Sequence, residues 1–160
     1  MEVLGGKFLT FLLEKEIYGI PIKKVKEIIG MMEITHVPKT KDYIKGVINL
    51  RGKIIPLMDL RLKFGMEEKA YNERTCIIVI EVAGETQRLI GLVVDAVSEV
   101  INIQSSEIEP PPEYNTQLDG DLLMGIGKLK EKVVLILDIE KILSRDDIAI
   151  LKKEIAINQE

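Results

Sequence analysis

The chain has 160 residues, 46% hydrophobic and 30% charged, with 26 acidic against 22 basic side chains for a formal net charge of −4. That length fits one domain, or two small subdomains on a shared core, and can bury roughly 70% of the surface an unfolded chain exposes; charges of interspersed sign argue against disorder. The negative balance and 4% aromatic content weigh against a general nucleic-acid binder, which needs a basic face against phosphate and rings on which bases stack.

Met1-Glu-Val-Leu-Gly-Gly6 carries neither the basic start nor the apolar core of a signal peptide, and every apolar run is too short to span a bilayer. A cytoplasmic protein is therefore expected. Phe8-Leu-Thr-Phe-Leu-Leu13 and Ile17-Tyr-Gly-Ile-Pro-Ile22 flank a charged turn at residues 14–16 and predict a hairpin. Residues 23–29 place Val25, Ile28 and Ile29 at helical spacing before Gly30, which predicts a short one-sided helix. Residues 34–38 are extended up to Pro38, and a loop follows to Tyr43. Arg51-Gly52 then reads as a tight hairpin turn between residues 46–50 and 53–57, with Pro56 expected on an edge or a bulge. Asp59 caps a brief helix that Gly65 ends, and the polar residues 66–74 form a linker.

Strand character returns at residues 75–82, where Cys76 is expected in the core, and again at 87–94 after a turn at 83–85. Residues 95–101 are paired with the predicted helix at 23–29. Pro110-Pro-Pro112 marks a stiff connection, a hairpin spans 124–137, a helix starts at Asp138, and Ser144-Arg-Asp-Asp147 caps a final amphipathic helix.

Two pairs of segments align without a gap and in the same order. Gly46-Val-Ile-Asn-Leu-Arg-Gly-Lys-Ile-Ile-Pro-Leu-Met-Asp-Leu60 matches Gly125-Ile-Gly-Lys-Leu-Lys-Glu-Lys-Val-Val-Leu-Ile-Leu-Asp-Ile139, and Gly19 to Ile29 matches Gly91 to Ile101, with Val25 on Val97 and Glu27 on Glu99. Such a duplication implies two copies of one small unit, and the crevice between similar halves is a natural binding place. Short strands with helices only as caps point to small barrels or curled sheets rather than a parallel α/β sheet.

Catalytic chemistry finds few residues. His36 is the one histidine and Cys76 the one cysteine, which cannot make a structural zinc site, and no serine sits in a nucleophile elbow. Asp119-Gly-Asp121 lacks the further ligands of a calcium loop and reads as a turn. Gly120 to Gly125 has the gap of a phosphate loop but carries Ile126 and Gly127 where Lys and Ser or Thr are required. No metal, cofactor or catalytic residue is expected, and the role this leaves is binding.

The run Tyr43-Ile-Lys-Gly-Val-Ile-Asn-Leu-Arg-Gly-Lys-Ile-Ile-Pro-Leu-Met-Asp-Leu-Arg-Leu-Lys-Phe-Gly65 resembles the signature of the CheW family of bacterial chemotaxis coupling proteins. Tyr18 to Ile22, Val25 to Ile28, Gly91 to Val100 and Pro111 to Tyr114 fit the same family in the same order. The resemblance covers about residues 7 to 144 and implies a mainly β fold of two pseudo-symmetric SH3-like five-stranded β-barrels, at about 7–65 and 75–144, with residues 145–160 as a C-terminal helix and tail. It implies a non-enzymatic adaptor at receptor arrays on the inner face of the membrane, reaching the membrane only through receptors. Its implied partners are the cytoplasmic tip of chemoreceptors and the regulatory domain of the histidine kinase CheA. Carried over by motif, the receptor groove takes Val25, Glu27, Ile28, Gly46, Arg51, Val97 and Val100, and the kinase contact takes Glu109 and Tyr114. Glu109 is an acid where the family more often has a base. Read from the residues alone, Val25, Ile28, Val97 and Val100 serve equally as core positions, and Arg51 as a solvated turn charge. The competing class is a small-barrel nucleic-acid-binding module, which a basic stripe would favour. An ion pair between Glu27 and Arg51 beside the groove is a further expectation.

Overall fold

The computed structural model describes residues 5–38, 40–82, 88–111 and 122–142. Its elements run β1 (Gly6–Leu13), β2 (Glu16–Pro21), a 3-10 turn (Ile22–Lys24), β3 (Val25–Gly30), β4 (Ile44–Leu50), β5 (Lys53–Asp59) and α1 (Leu60–Lys63). There follow β6 (Cys76–Val82), β7 (Arg88–Val94), β8 (Ala96–Ile103), a second 3-10 turn (Ser105–Glu107), β9 (Ile108–Glu109), β10 (Leu123–Lys128), β11 (Val133–Leu137) and α2 (Ile139–Ile142). The fold is mainly β. Among the described residues it comprises a six-stranded sheet, ordered β8-β1-β2-β11-β10-β9, and a five-stranded one, ordered β3-β6-β7-β5-β4. The two-residue β9 is what takes the first sheet beyond five strands.

The hairpins follow local turn chemistry. Arg51 and Gly52 both take positive φ, 51° and 88°, as a two-residue turn of the I′ class requires, and the Asn49 side chain accepts the Gly52 N–H at 2.8 Å. Asp59 caps α1 by accepting from the Arg61 and Leu62 amides, and Gly65 ends it at φ 79°. Pro56 is tolerated because the parallel ladder between β5 and β7 starts one residue later, at Leu57.

The expected helices at 23–29 and 95–101 are strands instead, β3 and β8, each at the edge of its sheet. A seven-residue helix with one apolar side is marginal, and Val25, Ile28 and Ile29 are stiff β-branched residues that pair readily with β6. A bulge between Val25 and Glu27 shifts the phase of the alternation, so a period of two imitates helical spacing. Cys76 opens β6 and packs against the core, but it is half-buried rather than enclosed.

Strand registers recur between the aligned segments. β4 and β5 pair Ile44 with Met58 and Gly46 with Leu57 across a bulge; β10 and β11 pair Leu123 with Leu137 and Gly125 with Ile136 across another. The parallel ladders place Leu57 opposite Gly91 and Ile136 opposite Gly19. The hairpins are exchanged: β1 and β2 pair with β8 and β11, while β6 and β7 pair with β3 and β5. One large core lies between the sheets, with Phe11, Tyr18 and Ile20 from one and Ile78, Ile80 and Leu92 from the other. Alternation along β6 sends Ile77 and Val79 to a second cluster with Ile55 and Leu57. A third forms around Phe8, Ile103, Val134 and Ile136.

Candidate functional site

Glu27 lies on β3, and the I′ turn beside it presents Arg51. The guanidinium grips the carboxylate with both nitrogens, Nη1 to Oε2 at 3.0 Å and Nη2 to Oε1 at 2.5 Å. That hydrogen-bonded fork holds the Glu27 carboxyl below its usual range and raises the Arg51 guanidinium. The pair is exposed, so it positions the Arg fork rather than holding the fold.

The apolar residues divide by strand position. Val25 and Val97 are half-buried against the large core. Ile28 and Val100, equivalent positions on the two edge strands, are 43% and 49% exposed. They are two of the three large hydrophobics left exposed among the described residues, the other being Val133. Edge strands carrying uncovered branched aliphatics invite a partner.

Gly46 has a structural reason of its own. Thr35 and Val47 exchange two backbone hydrogen bonds of 2.9 Å, which brings the Thr35 carbonyl to 2.1 Å from where a Cβ on Gly46 would stand, at a φ of 136°. Glu109, in β9, is exposed and pairs with Lys128 at 3.0 Å. Tyr114, Asp119 and Asp121 lie outside the described residues, as do the turn at 83–85 and the final helix. His36 is exposed. Among the described residues no group of three or more His, Cys, Asp or Glu is placed to hold a metal ion, and no helix is long and apolar enough to cross a membrane.

Beside the Glu27–Arg51 pair opens a cleft of about 510 Å³. Leu50, Ile55, Val79 and Leu89 form its apolar floor, and Lys26, Glu27, Arg51, Lys53 and Glu81 line its rim. Lys26 pairs with Glu81 at 2.7 Å. Two other features escaped the reading of the sequence. Arg61 of α1 is buried and binds Asp95 at 2.8 Å, Glu14, and the Glu67 carbonyl. Lys24 pairs with Glu140 at 3.0 Å on α2. Arg61 aligns with Glu140 in the repeat, so each small helix is tethered to a turn before an edge strand, with the charges reversed. That reversal at an aligned position was the available signal.

A family model described as the CheW-like domain matches residues 7–147. The chemotaxis protein CheW of Klebsiella aerogenes is 43% identical over 94% of this chain and 89% of its own length. That of Helicobacter pylori is 38% identical over 91% and 84%. The crystal structure of the scaffolding protein TtCheW from Thermoanaerobacter tengcongensis superposes with a TM-score of 0.81 at 38% identity, covering 90% of this chain and 96% of that one. Sequence and fold agree: the chain belongs to the CheW family of chemotaxis scaffold proteins.

Proposed function

We propose that this chain is a non-enzymatic adaptor of the cytoplasm that couples the signalling tips of chemoreceptors to the histidine kinase CheA and helps assemble receptor–kinase arrays on the inner face of the membrane. In this reading residues of about 7–65 and 75–144 act as two barrel subdomains that share hairpins. Val25, Glu27, Ile28, Gly46, Arg51, Val97 and Val100 serve the receptor tip, with Gly46 acting through the backbone approach it permits. Glu109 and Tyr114 serve the regulatory domain of CheA.

The observation that carries the proposal is the pair of exposed aliphatics, Ile28 and Val100, at equivalent edge positions, with the Glu27–Arg51 fork beside one of them. A partner that covered both would recover the burial the fold leaves unused, and the arginine would fix its orientation. Calorimetric titration of the chain with a receptor signalling fragment and, separately, with the regulatory domain of CheA tests it. Both should bind, and Ile28→Ser or Val100→Ser should weaken the receptor fragment while sparing the kinase domain. Failure of the unmodified chain to bind either partner would end the proposal.

A further inference from the structure

Each half of the molecule places two cations around a hairpin tip and one glutamate on the neighbouring edge strand, yet the pairing differs. In the second half the glutamate, Glu99, takes Lys132, at the end of the hairpin turn. In the first half Glu27 takes Arg51, at the tip itself. Lys53, which aligns with Lys132, is thereby left over. It is exposed on the rim of the 510 Å³ cleft, and among the described residues it has no ion-pair partner. The two rim carboxylates, Glu27 and Glu81, are both occupied by Arg51 and Lys26. The rim therefore carries one uncompensated positive charge above an apolar floor.

We propose that this cleft is a docking groove for a partner segment in which a carboxylate stands next to an aliphatic side chain. The carboxylate is taken by Lys53 and the exposed flank of Arg51, and the aliphatic side chain lies on Leu89. Charge complementarity selects the acid. A neutral segment would leave Lys53 uncompensated as the cleft dries, and a basic one would be repelled by the rim. The half-buried Leu89 offers apolar surface that a solvated anion alone would not cover. The assignment deepens the coupling reading, on which it rests for the identity of the occupant as a segment of the receptor tip.

The test titrates isotope-labelled full-length chain with a terminally blocked Leu-Glu-Leu-Glu-Leu peptide, its Leu-Gln-Leu-Gln-Leu counterpart and a receptor signalling fragment. The glutamate peptide should shift the amide resonances of Lys53, Val79 and Leu89. Lys53→Gln should weaken both that peptide and the receptor fragment roughly tenfold, an effect within the range of one desolvated charge contact, whereas Lys132→Gln should change neither. A thermal melt checks that each variant is folded. Equal binding of the glutamine peptide, shifts centred elsewhere, or unchanged affinity of Lys53→Gln would overturn the groove while leaving the adaptor reading intact. If the receptor fragment does not bind the unmodified chain but the glutamate peptide still finds the cleft, the coupling reading fails and the groove stands.

Discussion

Replacing Arg61 by methionine keeps most of the side chain's bulk and removes the charge at the junction of the two sheets. Arg61 is 6% exposed and binds Asp95, itself 17% exposed, and Glu14, which is half-exposed. Breaking a fully buried ion pair by deleting one partner costs about 3–5 kcal/mol, because the other charge is left unpaired. Here the loss is smaller: Glu14 turns to water, and Asp95 keeps the Glu14 amide at 2.8 Å. The Glu67 carbonyl loses both its donors. A cost of about 2–3 kcal/mol follows, equivalent to a fall in Tm of roughly 4–12 °C for a chain of this size. Urea unfolding followed by circular dichroism should show a lower midpoint at unchanged slope. Asp95→Asn combined with Arg61→Met should cost less than the sum of the two by about 1 kcal/mol. A loss below about 0.5 kcal/mol, or strictly additive losses, would refute the role of Arg61 as a clamp between sheets.

Gly46→Ala should cost about 3 kcal/mol or more in the same assay, since the new Cβ meets the Thr35 carbonyl at 2.1 Å in a backbone region that alanine avoids; unchanged stability would show that the Thr35–Val47 bridge yields. Arg51→Asn suits the φ of 51° better than arginine does, so the melt should hold or rise while affinity for a receptor fragment falls about tenfold or more, the loss expected of an interface anchor. Burial and the bond to Asp59 hold the Tyr71 phenol well above its usual pKa. The unfolded phenol ionises near pH 10 and the folded one does not, so stability should be complete below pH 10 and decline above it. Tyr71→Phe should lessen that alkaline decline and lose about 1 kcal/mol at neutral pH.

Features fixed by neighbours in sequence were legible before the structure. The Arg51-Gly52 turn and the Asp59 cap depend on local backbone chemistry, and the repeat declares itself through aligned glycines and carboxylates. The edge strands β3 and β8 were hidden because a bulge adds one residue to the alternation, and only the ladder to β6 or β1 reveals it. Arg61 stands in the brief helix after Asp59, where none of its sequence neighbours signals that it is buried. Its burial comes from Glu14 and Asp95, 47 and 34 residues away. At the candidate site, the Glu27–Arg51 pair was expected because the family resemblance sets both residues beside the groove, with a hairpin tip facing the segment that carries Glu27. That Arg51 rather than Lys53 takes the carboxylate is decided by side-chain geometry, as the opposite choice at Glu99 makes plain.

The most direct test of the coupling claim is co-sedimentation of CheA with membranes that carry chemoreceptors, with and without this chain at matched concentrations. CheA should move into the pellet in proportion to the chain added, and Arg51→Asn should require about tenfold more chain or more for the same transfer while leaving the binary complex of chain and CheA intact. Transfer of CheA at the same level without the chain, or binding of the chain to receptors and to CheA only in mutually exclusive complexes, would contradict it.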